Sequence, residues 1–194
     1  MEFNNYITFS ISAVAIVVSI FAYIQNSRVQ KRQLRINKIE EILEITHMLN
    51  GNYHYFEESQ FIKSNFSSSR DGFIEKEKYK ARVKILKNIS DELDFSNKLP
   101  RLYVLSNSYL SKKRLRDKIG ILIAVFTSLL ETTLNDPHKT AILPFNKFPK
   151  KMEFLEFVKE IQNELIIEMG LGYKNKLSEE NLYEEEFRER YNLK

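Results

Sequence analysis

The chain has no cysteine and no tryptophan, and among its 194 residues only five are glycine and four are proline. Without cysteine there is no disulfide framework and no thiolate, either as nucleophile or as metal ligand. Glycine is too sparse for a phosphate-cradling loop, and no Gly-x-Ser-x-Gly elbow occurs. The three histidines are His47, His54 and His138; with no cysteine in the chain and no aspartate near His47 and His54, no metal and no cofactor are expected. The run Glu75-Lys76-Glu77-Lys78 pairs carboxylates with lysines, as some nuclease sites do, but its helical surroundings make it a salt-laced surface. No catalytic constellation emerges, and the expectation is that the chain is not an enzyme. Scarce breakers and abundant Leu, Ile, Lys and Glu predict an all-α protein.

What is present begins with Tyr6 to Ile24, YITFSISAVAIVVSIFAYI, 19 residues without charge, proline or glycine. As a helix it reaches about 28 Å, close to the hydrocarbon thickness of a bilayer. The preceding residues carry no Lys or Arg and no Ala-x-Ala site follows, which argues against a cleaved signal peptide. Glu2 lies before the run, and Arg28, Lys31, Arg32, Arg35 and Lys38 follow it. The positive-inside rule then places the N-terminus outside and the bulk of the chain in the cytoplasm. Arg28, Lys31, Arg32 and Arg35 are expected to anchor the helix at an anionic inner leaflet.

A second pattern lies inside the run. Asn5, Thr8, Ser12, Ala15, Ser19, Ala22 and Asn26 recur at steps of three and four, and all are small or polar. Such a stripe predicts helix–helix association, or in a larger ring the lining of a narrow pore. The lipid would then meet Ile11, Val14, Val18 and Phe21.

No Gly or Pro interrupts the chain from Gln25 to Asn50, so one rod of about 40 residues is expected. A bend is expected at Gly51, followed by an aromatic helix holding Tyr53, Tyr55, Phe56, Phe61 and Phe66. Ser67 to Gly72 reads as a loop and Phe73 to Asn97 as a helix that Pro100 punctuates. Arg101 to Leu110 is short and apolar, a helix or less readily a strand. Lys112 to Leu134 carries a broad apolar stripe. Lys151 to Met169 is amphipathic through Met152, Leu155, Val158, Ile161, Leu165 and Met169, and Gly170 stops it. Expected boundaries are 1–26 for the transmembrane helix, 27–50 for the juxtamembrane helix, 51–175 for a cytosolic helical domain and 176–194 for an acidic tail.

The net charge is only +4, so its distribution matters more. Lys98, Arg101, Lys112, Lys113, Arg114, Arg116 and Lys118 stand against Asp117 alone, with Tyr103 and Tyr109 between them. Cations for phosphates and aromatics for bases suit a single-stranded nucleic acid or nucleotide. A solvated helix start, or a surface facing the anionic leaflet, is the plainer alternative.

The N-terminal arrangement, an apolar helix followed by QNSRVQKRQLRINKIEEILE and a helical domain, resembles small single-span membrane effectors of bacterial antiphage defence. It is similar in organisation to the membrane effector of the Hailong system, over residues 1 to about 50 in pattern and over the rest in class. The resemblance implies a homo-oligomeric channel, a tetramer or larger, in the bacterial inner membrane. It also implies gating by an oligonucleotide or nucleotide signal that a partner enzyme makes, as part of abortive infection. The alternative is a single-span tether that holds a cytosolic partner at the membrane without channel activity.

Overall fold

The structure, a computed structural model, describes residues 2–66, 72–135 and 148–170, with side chains over 14–60, 77–134 and 148–170. The expected loop at 67–71, the side chains of Thr8, Ile11, Ser12, Phe61 and Phe66, His138, and the acidic tail lie outside these described residues. The described chain is all-helical. Its elements are α1 (Glu2–Phe66), α2 (Gly72–Glu92), α3 (Phe95–Tyr109), α4 (Lys113–Leu130) and α5 (Lys151–Met169). A single π-helical turn, Glu131–Asn135, ends α4. Among the described residues no helix is long and apolar enough to cross a membrane. The first eight positions of the Tyr6–Ile24 run have no described side chains.

α1 is one helix of 65 residues. The bend expected at Gly51 does not occur. A Cβ at Gly51 would meet nothing within 4 Å, and Leu49, Tyr53 and Phe56 around it are fully buried, so packing on both sides holds the helix straight through it. Ile36, Ile39, Ile42, Ile45, Leu49, Tyr53 and Phe56 form one buried stripe. The segment 27–50 therefore docks on its own domain from Ile36 onward.

Contacts along this stripe set the direction of every other helix. α2 and α3 ascend toward the apolar end of α1: Arg82 pairs with Glu58, Arg101 with Glu41, and Arg35 reaches the carbonyl of Tyr109. α4 descends until Thr132 and Thr133 meet Gln60. α5 ascends from Pro149, which accepts a hydrogen bond from Tyr53 Oη at 2.5 Å, to Gly170, whose carbonyl accepts from Arg32 at 3.0 Å. The result is an antiparallel bundle of four rods, one of them broken, from which α1 projects. Phe126 joins the rods, lying within 5.8–6.2 Å (ring centroids) of Tyr53, Phe56, Phe95 and Phe154.

The break between α2 and α3 falls at Asp94, not at Pro100, which lies inside α3. Leu93 packs against the core and Phe95 is fully buried. In a continuous helix these two would point about 200° apart. Asp94 takes a left-handed conformation (φ 55°, ψ 47°), which resets the phase so that both face inward. Its carbonyl then accepts the first bonds of α3, from the amides of Asn97 and Lys98. Arg101 to Tyr109 is helix, as the first of the two sequence readings had it.

α4 and α5 follow their apolar periods. Leu115, Ile119, Leu122, Val125, Phe126 and Leu129 are buried on α4. On α5 the buried residues are Phe154, Val158, Ile161, Leu165 and Met169, whereas Met152, expected inside, is exposed. Phe154, stacked on Tyr53 at 3.7 Å, takes the place in the core expected for Met152. Gly170 closes α5 in the left-handed region (φ 61°).

Candidate functional site

The seven cations from Lys98 to Lys118 do not form one patch. α3 separates them: Lys98 and Arg101 sit in its first turns, and Lys112 to Arg114 follow its end, about 16 Å further along the helix. At the first end, Lys98 Nζ lies 3.3 Å from Met48 Sδ, and Arg101 is ion-paired with Glu41. The Arg101 hydrogen bond leads in holding the Glu41 carboxyl below its ordinary value, against burial, with help from Lys38. Glu41, Glu44, Ile45, Met48, Leu93, Lys98 and Arg101 line a shallow cavity of about 220 Å³. Its two cations face two carboxylates, so it is close to neutral.

At the other end, Arg116 donates to the carbonyls of Leu110 (2.7 Å) and Ser111 (3.1 Å), closing the α3–α4 corner. Lys118 Nζ is held by Glu160 and Glu164, each at 2.8 Å, and these hydrogen bonds raise its pKa despite some desolvation. Both are structural cations. Lys112, Lys113 and Arg114 are exposed, at the N-cap and first two positions of α4, where no acidic residue shares the first turn. Cations there oppose the helix dipole, a cost of a few tenths of a kcal/mol with no compensating carboxylate in that turn.

The four arginines and lysines of the expected membrane anchor fall at i, i+3, i+4 and i+7, on one face of α1. That face is turned to the bundle. Arg35 Nε donates to the Tyr109 carbonyl at 3.1 Å, and its Nη2 pairs with Glu168 at 2.5 Å. Glu168, only 5 % exposed, also accepts from the amide (3.0 Å) and hydroxyl of Ser111. Burial pushes the Glu168 carboxyl up, but the two Ser111 donors and the charges of Arg35 and Lys112 together hold it below its ordinary value. Arg32 reaches Gly170, as above. Arg28 and Lys31, one turn higher, are exposed. This four-element clamp, joining α1, the α3–α4 corner and α5, was missed in the sequence. Its parts lie far apart in the chain, and no periodic pattern connects Arg35 to Glu168.

Of the small-residue stripe, Ala15, Ser19, Ala22 and Asn26 are described and exposed. Ser19 Oγ donates to the Ala15 carbonyl at 2.8 Å, so its hydroxyl is satisfied within the helix. Thr8 and Ser12 lie on α1 with side chains outside the described residues. Carried downward at the same alternating steps, the stripe meets Val29, Gln33 and Glu40, which are exposed, but also Ile36, which is buried, and Leu43, which is half-buried. By helical phase the buried residues Ile39 to Phe56 lie on roughly the far side of the helix from the small residues, with Ile36 where the two stripes meet. Around the small residues stand Val14, Ile16, Val17, Val18, Ile20, Phe21 and Ile24, 43–66 % exposed and covered by no other described part of the chain. Among the described residues no group of His, Asp or Glu could hold a metal ion. Against protein-family models, curated proteins and solved structures, the chain has no match.

Proposed function

We propose that this chain is a membrane-anchored, self-associating effector. In this reading the first third of α1 crosses the bacterial inner membrane with its N-terminus outside. Copies meet along Thr8, Ser12, Ala15, Ser19, Ala22 and Asn26. The observation that carries the reading is the phase of α1. Its described small residues Ala15, Ser19, Ala22 and Asn26 are exposed, and at 3.6 residues per turn they lie away from most of the buried stripe, so copies can pack rod against rod above Ile36 with their bundles outside. The exposed Val and Ile wall supplies the second support, because a contiguous apolar surface of this kind is stable in lipid or against another copy. Four or more copies enclose an axis wide enough for ions, whereas two do not. The resemblance to antiphage membrane effectors adds gating by an anionic nucleotide or oligonucleotide.

The test is the mass of the detergent-solubilised complex, followed by ion flux in liposomes. The wild type is expected to be at least tetrameric, and Ala15→Leu/Ser19→Leu/Ala22→Leu to lose both assembly and flux. A monomeric wild type removes the oligomer. An oligomer that passes no ions, with or without a short oligonucleotide, leaves the single-span tether as the function.

A further inference from the structure

The end of the bundle nearest the apolar run gathers a group of exposed cations. There the Arg35–Glu168–Ser111 clamp holds the α3–α4 corner against α1. Lys112, Lys113 and Arg114 follow Ser111 directly. Lys31 stands one turn above Arg35 and Arg28 two turns above it, on the same face of α1. Of the carboxylates nearby, Glu168 is engaged with Arg35 and Ser111 and Glu160 with Lys118, which leaves Asp117, one turn along α4, against the three corner cations. Residues separated by about 80 positions in sequence are thereby gathered around the point where α1 leaves the bundle.

The height of this point is fixed by the helix. From Ile24, the last residue of the apolar run, to Arg35, which holds the α3–α4 corner, is eleven residues, or about 16 Å. The polar headgroup layer on each side of a bilayer is about 5–8 Å thick, and the attraction of an anionic leaflet extends roughly a Debye length, about 8 Å, beyond it. The corner therefore stands at the outer edge of the leaflet's field, into which the long Lys and Arg side chains reach.

We propose that Lys112, Lys113 and Arg114, together with Arg28 and Lys31, form a basic collar that seats the bundle against anionic lipid headgroups. The collar rests on the membrane span proposed above, and it gives the corner to lipid in preference to a nucleotide. Arg32 and Arg35 have a different role, locking the rod to the bundle so that the corner keeps its height. Each cation near an anionic surface contributes about fivefold in partition, so removing the three corner cations weakens seating by about a hundredfold.

The chain has no cysteine, so Ser108→Cys, exposed in the last turn of α3, takes a single fluorophore. The labelled full-length protein is reconstituted in bilayers of phosphatidylcholine alone, or of equal parts phosphatidylcholine and phosphatidylglycerol, each with a headgroup-quencher lipid. Quenching is expected to be at least twofold stronger in the anionic bilayer. Lys112→Glu/Lys113→Glu/Arg114→Glu should abolish the difference, and Lys98→Glu, at the far end of α3, should keep it. Equal quenching in both bilayers, or a difference that survives the triple reversal, overturns the collar. So does a triple variant that loses binding of a single-stranded oligonucleotide but keeps the quenching difference, which makes the corner a nucleic-acid contact. Alkaline carbonate washing reads the span separately. If it strips the wild type, the span fails, and the collar then requires salt-sensitive flotation with anionic vesicles that the triple variant loses. Absence of that flotation overturns it as well.

Discussion

Replacing Arg35 by alanine removes one ion pair and one hydrogen bond to a carbonyl from the joint between α1, the α3–α4 corner and α5. Glu168 keeps both Ser111 donors, so it is not left bare. A hydrogen bond to a charged group contributes about 1.5–3 kcal/mol, and Arg35 is 43 % exposed at its side chain, which places the loss in the lower half, about 1.5–2 kcal/mol. For a chain of this size that is a drop of about 3–8 °C in the unfolding midpoint. Arg35→Lys should recover only part of it, because an ammonium cannot serve Glu168 and the Tyr109 carbonyl with a planar fork. The assay is far-ultraviolet circular dichroism of the detergent-solubilised protein, unfolded by heat or urea, for Arg35→Ala, Glu168→Gln and the double variant. The coupling between the two positions should be about 1 kcal/mol. Additive single effects would refute the clamp, and with it the claim that the corner's height above the membrane is fixed.

Two further outcomes follow from the same coordinates. The carboxyls of Glu168 and Glu41 titrate below their ordinary value of 4.5 in the folded chain, so the unfolded chain takes up protons first as the medium acidifies. Their stabilisation is present above about pH 4.5 and lost as pH falls through the lowered folded values. Unfolding midpoints measured on descending from neutral pH should fall below that point, and less steeply in Glu168→Gln. Gly51→Ala should raise stability by about 0.5–1 kcal/mol, since the residue is mid-helix with open space around it. A loss of stability there would mean that α1 bends at Gly51 after all.

The helices most legible in the sequence are those with long apolar periods between breakers. α5 coincides with the expected Lys151–Met169, and α4 with the expected helix to within a residue at its start. Two of the misread points are breakers judged without their surroundings. Gly51 is overridden by the buried residues on either side, and Pro100 by the phase demand of Leu93 and Phe95, which puts the break at Asp94 instead. The basic cluster was legible as composition but not as geometry. Nearness along the chain says nothing of a helix between the charges, nor of carboxylates on α1 and α5 that neutralise Arg101 and Lys118. The small-residue stripe was legible as spacing. Its direction relative to the bundle required Ile36 to Phe56 to be seen docked.

Because α1 is one helix from Glu2 to Phe66, about 97 Å long, the roll of its upper segment and the bearing of its bundle are a single variable. In any ring built on the stripe, the bundles stand outside like spokes. A turn of each rod that retracts Ser19 and Ala22 from the axis sweeps every spoke through the same arc. Widening at the centre is then metered at the rim, by the room each bundle has before it strikes its neighbour. A ligand or lipid that wedges between adjacent bundles would act on the axis by leverage, without touching it.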